Sequence, residues 1–452
     1  MAKYLLKGGT VATFVQATNK PRAHKADVLI EGDTIVRIEK NIDDEPGVEV
    51  IDCKGRWITP GFVDTHKTVQ GTITPEEVAI GQLAGCLDAL NNGTTTMLDH
   101  FHAAHTPAHA EASLKATIES GARVVWAPDH LSSNTQLFPT LEFAKDTETL
   151  QWQRAKLTEW GANGGRLSPD GRVLLGLAYD RLGNGKEHVV PHEELLAEAR
   201  AIPAQTITAH IHSAEQVLLW RDPGLLGPDV LFSHCCGLAG HTPLDEEAWR
   251  ALKDSGAAIG ATPEDEIGMA LGHGLVVFDA VERGVKVGIG ADTASINGGD
   301  MFTAMRFVLQ DARHKEQHRI RAAKEALPFK YKYNSVDAFR LATLGGAEAL
   351  GLANIIGTVE VGKKADLLIF DANSVNLAGA DDPFSGIVFL AASEDIKFVL
   401  VAGEVVKKNH KLVREWAPVA RELQKRAEDI RQRWPAEVLE GAWKKWYDAN
   451  MN

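Results

Sequence analysis

The sequence is poor in cysteine and lacks long hydrophobic runs. None of its four cysteines, Cys53, Cys86, Cys235 and Cys236, shows Cys-x-x-Cys spacing, and the adjacent pair is poorly placed for an ordinary disulfide. No run of about 18 apolar residues occurs, and the first residues contain no stretch typical of a signal peptide. We therefore expect a cytoplasmic protein in a reducing compartment, with no membrane partner.

Long blocks of like charge are also absent. The net charge of −13 is spread along the 452 residues, which favours a role in solubility and argues against nucleic acid as a partner. Hydrophobic residues make up 44% and charged residues 24% of the chain, as in globular proteins. A chain of this length fits one barrel of roughly 250 residues plus a smaller second unit.

Short β patterns lie near both ends of the chain. Residues 4–58 alternate apolar runs with turn residues, and Glu31-Gly32-Asp33 suits a hairpin turn. Residues 365–370 and 396–406 show the same pattern. After them, residues 415–452 carry apolar side chains at helical spacing, which predicts a C-terminal helical tail for packing or subunit contact.

The middle of the chain repeats a different pattern, in which an apolar strand-like run is followed by polar or helical sequence. Such alternation predicts parallel βαβ units. The eight runs are residues 61–63, 94–98, 122–127, 173–178, 206–210, 230–232, 257–259 and 286–289.

Residues of metal-ligand type follow four of these runs directly. They are His66, His212, His234 and Asp292. A single histidine after a strand is more often structural, and the chain has 17 histidines. However, all strands of a (β/α)₈ barrel end at one face, so four such residues in order predict one site at the barrel mouth.

The chain contains five distinctive motifs, Pro60-Gly61-Phe62-Val63-Asp64-Thr65-His66, Thr94-Thr95-Thr96-Met97-Leu98-Asp99-His100, His212-Ser213-Ala214-Glu215, Ser233-His234-Cys235 and Gly288-Ile289-Gly290-Ala291-Asp292. They resemble the motifs of the amidohydrolase superfamily and are most similar to its aminohydrolase and chlorohydrolase branch, which includes cytosine deaminases and triazine hydrolases. Residues 342–367 are also similar to the strand with which that family returns from its barrel to a β-sandwich.

This resemblance implies an α/β fold, a (β/α)₈ TIM barrel with a small composite β-sandwich built from both ends of the chain. The expected domains are the N-terminal portion of the sandwich at 1–58, the barrel at 59–355, the C-terminal portion of the sandwich at 356–414 and the helical tail at 415–452. Similar proteins are often homo-oligomers. Lysine is absent from residues 173–178, which argues against the carboxylated lysine that bridges two metals in binuclear relatives.

The resemblance further implies one Zn²⁺ or Fe²⁺ ion per chain, held by His66, His212, His234 and Asp292. The ion would activate a water for hydrolysis of a C–N bond in a small heterocyclic substrate, by deamination or by cleavage of a cyclic amide or amidine. Asp292 would take the proton of the water, Glu215 would protonate the substrate or leaving group, and His234 would polarise the reacting carbon. Glu264 would face the substrate.

One motif departs from the family pattern. The family's first motif ends in His-x-His, whereas this chain has His66-Lys67-Thr68, and a threonine hydroxyl is a poor zinc ligand. Three explanations stay open. A segment carrying the second histidine is missing between Lys67 and Thr68; or His210, His100 or His102 replaces the ligand or lines the pocket; or the metal is lost. The last alternative predicts a metal-free protein that binds a small molecule or catalyses an elimination, cyclisation or decarboxylation.

Overall fold

The computed structural model describes residues 3–68, 74–129, 134–136, 142–143, 146–180, 182, 192–202, 204–293 and 297–451. The chain divides into two compact units. Unit 1 comprises Met1–Lys67, Asp88–Leu98 and Ala209–Val413, and unit 2 comprises Thr68–Leu87, Asp99–Thr208 and Arg414–Asn452. Among the described residues, no helix is both long and apolar enough to cross a membrane.

The strands, numbered along the chain, are mostly short. They are β1 (Lys3–Val15), β2 (Lys20–Glu31), β3 (Thr34–Glu39), β4 (Glu49–Asp52), β5 (Arg56–Pro60), β6 (Phe62–Thr68), β7 (Thr94–Phe101), β8 (Arg123–Pro128), β9 (Asn134–Gln136), β10 (Glu142–Phe143), β11 (Val173–Leu175), β12 (Leu177–Ala178), β13 (Ile207–Ile211), β14 (Val230–His234), β15 (Ala258–Ala261), β16 (Lys286–Ile289), β17 (Asp292–Thr293), β18 (Leu367–Asp371), β19 (Ile396–Val401), β20 (Glu404–Lys408) and β21 (Lys411–Leu412).

The α-helices mostly alternate with the central strands. They are α1 (Pro75–Asn91), α2 (Pro107–Ser120), α3 (Asp146–Gly161), α4 (His192–Ala201), α5 (Ala214–Arg221), α6 (Pro243–Ser255), α7 (Pro263–Gly268), α8 (Val277–Arg283), α9 (Met301–Ala322), α10 (Ser335–Arg340), α11 (Gly346–Ala349), α12 (Pro383–Ser385), α13 (Trp416–Arg433) and α14 (Ala436–Met451).

Both ends of the chain contribute to one nine-stranded sheet in unit 1. Its order is β21-β20-β19-β18-β5-β1-β2-β3, with β4 also paired to β1. The predicted hairpin turn is present, because Glu31 pairs with Thr34 and Gly32 adopts a φ of 59°, which glycine tolerates without strain. Inward side chains from both ends, such as Leu6, Ile58 and Leu400, form one buried core.

The central strands form two parallel sheets, in the orders β11-β8-β7-β6-β17 and β12-β13-β14-β15-β16. Every predicted central run contains a strand. However, residues 173–178 are two strands rather than one. They separate at Gly176, where a Cβ atom would lie 2.9 Å from the Ala127 Cβ and 3.1 Å from the Thr206 carbonyl oxygen. The close approach of neighbouring backbone explains both the glycine and the break.

The prediction of a return strand over residues 342–367 is wrong for the first residues of this range, which are helical. α10 continues through a π-helical turn at Leu341–Gly345 into α11, and the next strand begins only at Leu367. Asn334 starts this helical segment, since its side chain accepts a hydrogen bond from the Val336 N–H. An N-cap followed by alanine and leucine favours helix over strand.

The C-terminal tail is helical, as the sequence predicts, and consists of α13 and α14. Arg433 of α13 donates hydrogen bonds to both oxygens of Glu77 near the start of α1, one of them at 3.1 Å. Glu77 also accepts a hydrogen bond from the Thr74 N–H at 2.7 Å. One buried carboxylate therefore both caps α1 and anchors the tail within unit 2.

Candidate active site

Strand ends in unit 1 bring together three imidazoles and one carboxylate. One ligand atom each from His66, His210 and His234 lies within 4.8 Å of the others. The Nε2 atom of His66 is 3.5 Å from Asp292 Oδ1, and the Nε2 atom of His234 is 3.8 Å from Asp292 Oδ2. His66 is in β6, His210 in β13, His234 at the end of β14 and Asp292 at the start of β17.

Two hydroxyls fix the orientation of these rings. Ser233 Oγ lies 2.7 Å from His66 Nδ1, and Thr262 Oγ1 lies 2.9 Å from His234 Nδ1. If each Nδ1–H donates to its hydroxyl, each Nε2 carries the lone pair on the side of Asp292. Thr262 Oγ1 can then donate its own proton to Asp292 Oδ2, at 3.4 Å.

Burial and charge set the protonation of this group. Burial lowers the pKa of His66 to about 4, so its imidazole is neutral at neutral pH. Burial alone would raise the pKa of Asp292, but the neighbouring imidazoles of His66, His234 and His210 outweigh it and hold that pKa below its usual range. Neutral imidazole and ionised carboxylate are the forms in which these residues bind metals.

The donor set fits a divalent metal ion. Two donors at about 2.0–2.1 Å from a tetrahedral zinc ion lie about 3.4 Å from each other. The spacings of 3.5 Å and 3.8 Å between Asp292 and the two Nε2 atoms come within a few tenths of an ångström of that value. Three imidazoles and one carboxylate are also ligand types that zinc accepts.

The backbone at the site adopts conformations that L-residues rarely take. His234, Cys235 and Asp292 have φ values of 71°, 59° and 57°. Left-handed conformations in non-glycine residues cost free energy and often occur at functional sites. Here they set the directions of two of the four candidate ligands.

The structure places the predicted pair His212 and Glu215 differently. Both residues are exposed, and the His212 N–H donates to Gln216 Oε1 at 2.6 Å. The ring of His212 stacks 5.5 Å from the ring of His234. Among the described residues, the group of three histidines contains His210 instead of His212. The ligand role of His212 and the proton-donor role of Glu215 stay predictions.

The first motif ends at the limit of the described residues, because residues 69–73 and the side chain of Thr68 lie outside them. Lys67 is buried, and its Nζ atom lies 3.9 Å from the Met97 Sδ atom. Burial raises the pKa of Asp64 to about 7, against the opposing effect of Lys67 and of the His66 N–H that donates to this carboxyl at 3.0 Å.

Sequence reasoning missed several polar residues around the group. Besides Ser233 and Thr262, they include Glu266, which accepts a hydrogen bond from the Thr262 N–H at 2.8 Å and whose pKa burial raises to about 8. Asp265, whose pKa burial raises to about 7, accepts a hydrogen bond from the Thr293 N–H. The sequence feature that could have indicated Thr262, Asp265 and Glu266 is the run of one threonine, one proline and three acidic residues at 262–266, directly after the buried strand β15.

Glu264 lies in the same stretch of sequence and is the second residue of α7. Its side chain is half-buried, and burial raises its pKa. Its contact with substrate stays a prediction.

His100 and His102, the other predicted replacement ligands, lie in unit 2. The Nε2 atom of His100 is 3.1 Å from Asp180 Oδ2, and the rings of His100 and His102 are 4.5 Å apart. Both histidines belong, with Asp180, to a group of possible metal ligands.

Comparison with known proteins identifies relatives along most of the chain. A 5'-deoxyadenosine deaminase of Methanobrevibacter smithii is 26% identical over 439 residues, which cover 86% of this chain and 89% of the relative. A 5-methylthioadenosine/S-adenosylhomocysteine deaminase of Bacillus cereus is 28% identical over 451 residues, covering 88% of this chain and 94% of the relative. Both names describe hydrolysis of a C–N bond on a heterocycle.

Solved structures share the fold. Atrazine chlorohydrolase from Arthrobacter aurescens, complexed with zinc, superposes with a TM-score of 0.74 at 20% identity, covering 94% of this chain and 99% of the other. An adenosine deaminase from Xanthomonas campestris with bound zinc gives a TM-score of 0.73 at 19% identity, covering 95% and 99%. The predicted barrel with a β-sandwich is confirmed.

The amidohydrolase family model matches residues 57–167 and 193–406. The match includes the candidate ligands His66, His210, His234 and Asp292, and the relatives act as hydrolases on C–N bonds. The prediction of the superfamily is therefore confirmed, the relatives agree with the predicted C–N hydrolase, and this chain belongs to the amidohydrolase family.

Proposed function

We propose that the protein is a zinc-dependent aminohydrolase that removes the exocyclic amino group of an adenine-type nucleoside or a similar amino-heterocycle. The observation that carries the proposal is the group of three imidazoles and Asp292, with the His66 and His234 rings held by hydroxyls so that Nε2 lies near the carboxylate. The names of the relatives in Methanobrevibacter and Bacillus support the choice of substrate class.

The proposed cofactor is one zinc ion per chain, with iron as the other candidate. His66, His210, His234 and Asp292 would hold it, with His210 in the place expected for the missing histidine of the first motif. When bound, the ion would lower the pKa of a water molecule and supply a nucleophile at neutral pH.

The side chains of this chain would then move protons. Asp292 would accept the proton that the attacking water loses, and His234 would polarise the reacting carbon. Glu215 would protonate a ring nitrogen or the departing amine. The water oxygen forms a bond to the ring carbon, the C–N bond breaks, and ammonia leaves.

Ammonia release from adenosine and 5'-deoxyadenosine tests the proposal. We expect Asp292→Ala to abolish release while the far-UV circular dichroism stays that of the wild type, because loss of a general base alone costs about 10²–10⁴-fold. We expect Glu215→Gln to lower kcat while zinc stays bound. Activity retained by Asp292→Ala would refute the mechanism.

A metal-free function is the second candidate, favoured by the sequence His66-Lys67-Thr68. Elemental analysis of the purified protein separates the two. About one zinc or iron per chain supports the hydrolase. Metal far below that ratio, and not restored by added zinc or iron, supports binding or a non-hydrolytic reaction.

We also propose that the protein acts in the cytoplasm on a small molecule and forms homo-oligomers through its helical tail. The four free cysteines, all buried, support the first proposal. Leu439 and Trp443 on α14, with exposed fractions of 50% and 62%, support the second. Sedimentation of the full chain and of a Leu439→Glu, Trp443→Glu variant tests it.

A further inference from the structure

We propose that unit 2 carries a second divalent-cation site, formed by His100, His102 and Asp180 and suited to zinc. One ligand atom from each of these residues lies within 4.8 Å of the others. The Nε2 atom of His100 is 3.1 Å from Asp180 Oδ2, close to the about 3.4 Å that separates two donors on one tetrahedral zinc ion. Two imidazoles and a carboxylate also form the ligand set of known zinc sites.

The spacing of the two histidines supports this site. His100-Phe101-His102 has the His-x-His spacing that the first motif of this chain lacks. Residues two apart at a strand end project to the same side, and the two rings lie 4.5 Å apart. Phe101 between them is fully buried and stacks on Trp126 at 6.0 Å, which fixes the end of β7.

Asp129 gives the second supporting observation. Its Oδ2 atom lies 3.1 Å from His102 Nδ1, so Nδ1–H donates to this carboxylate and Nε2 carries the lone pair that a metal requires. A carboxylate behind a histidine in this way is the usual outer partner of a zinc ligand. Asp129 is itself buried, its N–H donates to the Phe101 carbonyl at 3.0 Å, and its carbonyl accepts from Gln153 at 3.0 Å.

Asp180 is positioned by a parallel strand pair of unit 2. β12 pairs with the first residues of β13, and the Tyr179 N–H donates to the Thr208 carbonyl at 2.8 Å. Asp180 follows directly and is half-buried. His100, His102 and Asp180 supply three ligands of a tetrahedral ion from two strand ends of unit 2.

The decisive measurement is zinc stoichiometry. Full-length protein is stripped with a chelator, equilibrated with zinc alone, desalted and measured by elemental analysis. We expect two zinc ions per wild-type chain, and one in Asp180→Asn and one in His102→Gln. We expect one in Asp292→Asn, and none in Asp180→Asn combined with Asp292→Asn.

The matched control is His109→Gln, which changes another histidine of unit 2. His109 lies 2.8 Å from Thr106 Oγ1, and the variant should keep two zinc ions. Cobalt titration of the unmodified chain, followed by visible absorption, should saturate at two equivalents and does not depend on the folding of any variant.

Equal zinc content in the wild type and in Asp180→Asn would overturn the second site, as would cobalt saturation at one equivalent that Asp180→Asn leaves unchanged. A single bound ion that is lost in Asp292→Asn and kept in Asp180→Asn would also overturn the second site, but it would leave the proposed hydrolase intact. A single bound ion that is lost in Asp180→Asn and kept in Asp292→Asn would support the second site and count against the proposed hydrolase.

Discussion

Thr262 should control how tightly the candidate active site binds zinc. Its hydroxyl lies 2.9 Å from His234 Nδ1 and 3.4 Å from Asp292 Oδ2, and His234 and Asp292 are both buried. Thr262→Val keeps the volume of the side chain and removes only this hydroxyl. His234 then loses the nearest acceptor of its Nδ1–H, with Glu266 Oε1 left 3.5 Å away, and Asp292 loses a donor.

The size of the effect follows from these two contacts. The contact to Asp292 is long, so the loss at His234 dominates, and a buried donor left unsatisfied costs about 1–3 kcal/mol. We therefore expect the metal-free protein to lose about 1–3 kcal/mol of unfolding free energy. Loss of such an outer partner weakens zinc binding by about 10–100-fold, which equals about 1.4–2.8 kcal/mol.

Competition with a chromophoric chelator at pH 7 measures the zinc affinity, and urea unfolding measures the stability. The matched control is Thr96→Val on β7. Thr96 is, like Thr262, a fully buried threonine, and its hydroxyl has no hydrogen-bond partner among the described residues. We expect the control to bind zinc as the wild type does. A folded Thr262→Val protein with wild-type zinc affinity would refute the assignment of Thr262 as the residue that orients His234.

Two further predictions concern stability. Phe62 is fully buried and packs edge-to-face on Phe302, with the ring centroids 5.3 Å apart. Phe62→Ala should therefore lower the unfolding free energy, measured in urea, by about 3–5 kcal/mol. A loss below about 1 kcal/mol would contradict this packing. Arg433→Gln should cost about 1–2 kcal/mol at pH 7, because Glu77 is buried and Arg433 is partly exposed. Burial raises the pKa of Glu77, but Arg433 and the Thr74 N–H outweigh this effect and lower that pKa. The stabilisation from the Glu77–Arg433 ion pair is therefore fully present above the unfolded pKa of about 4.3 and is lost as the pH falls through the folded pKa. The difference between wild type and Arg433→Gln should thus shrink towards pH 3, and a constant difference would contradict the ion pair.

The fold could be predicted from the sequence because its signals are local. Eight apolar runs of strand length, each followed by polar or helical sequence, require only the two periodicities of backbone structure. The break at Gly176 could not be predicted in this way. It depends on how closely Ala127 and the Thr206 backbone approach, and no local pattern carries that distance.

The site was only partly predictable. His66, His234 and Asp292 lie at or near the ends of strands, and strand order alone brings such residues together. The choice between His210 and His212 depends on the direction of each ring. His210 lies in β13 and His212 just beyond its end, and a spacing of two residues alone places both on one side of the chain. Ser233 and Thr262 act through hydrogen bonds at 2.7 Å and 2.9 Å, and serines or threonines in a sequence give no indication of such partners.

The sheet built from both ends of the chain has a consequence for synthesis on the ribosome. The hydrogen bond from the Val359 N–H to Thr13 Oγ1 joins residues 346 positions apart, and β5 lies between β1 and the late strand β18. Until β18 and β19 leave the exit tunnel, the edge of β5 has no strand to pair with and its apolar side chains stay uncovered. Contacts so distant in sequence form slowly, and an open strand edge invites aggregation. The nascent chain should therefore depend on chaperones until its last strands emerge.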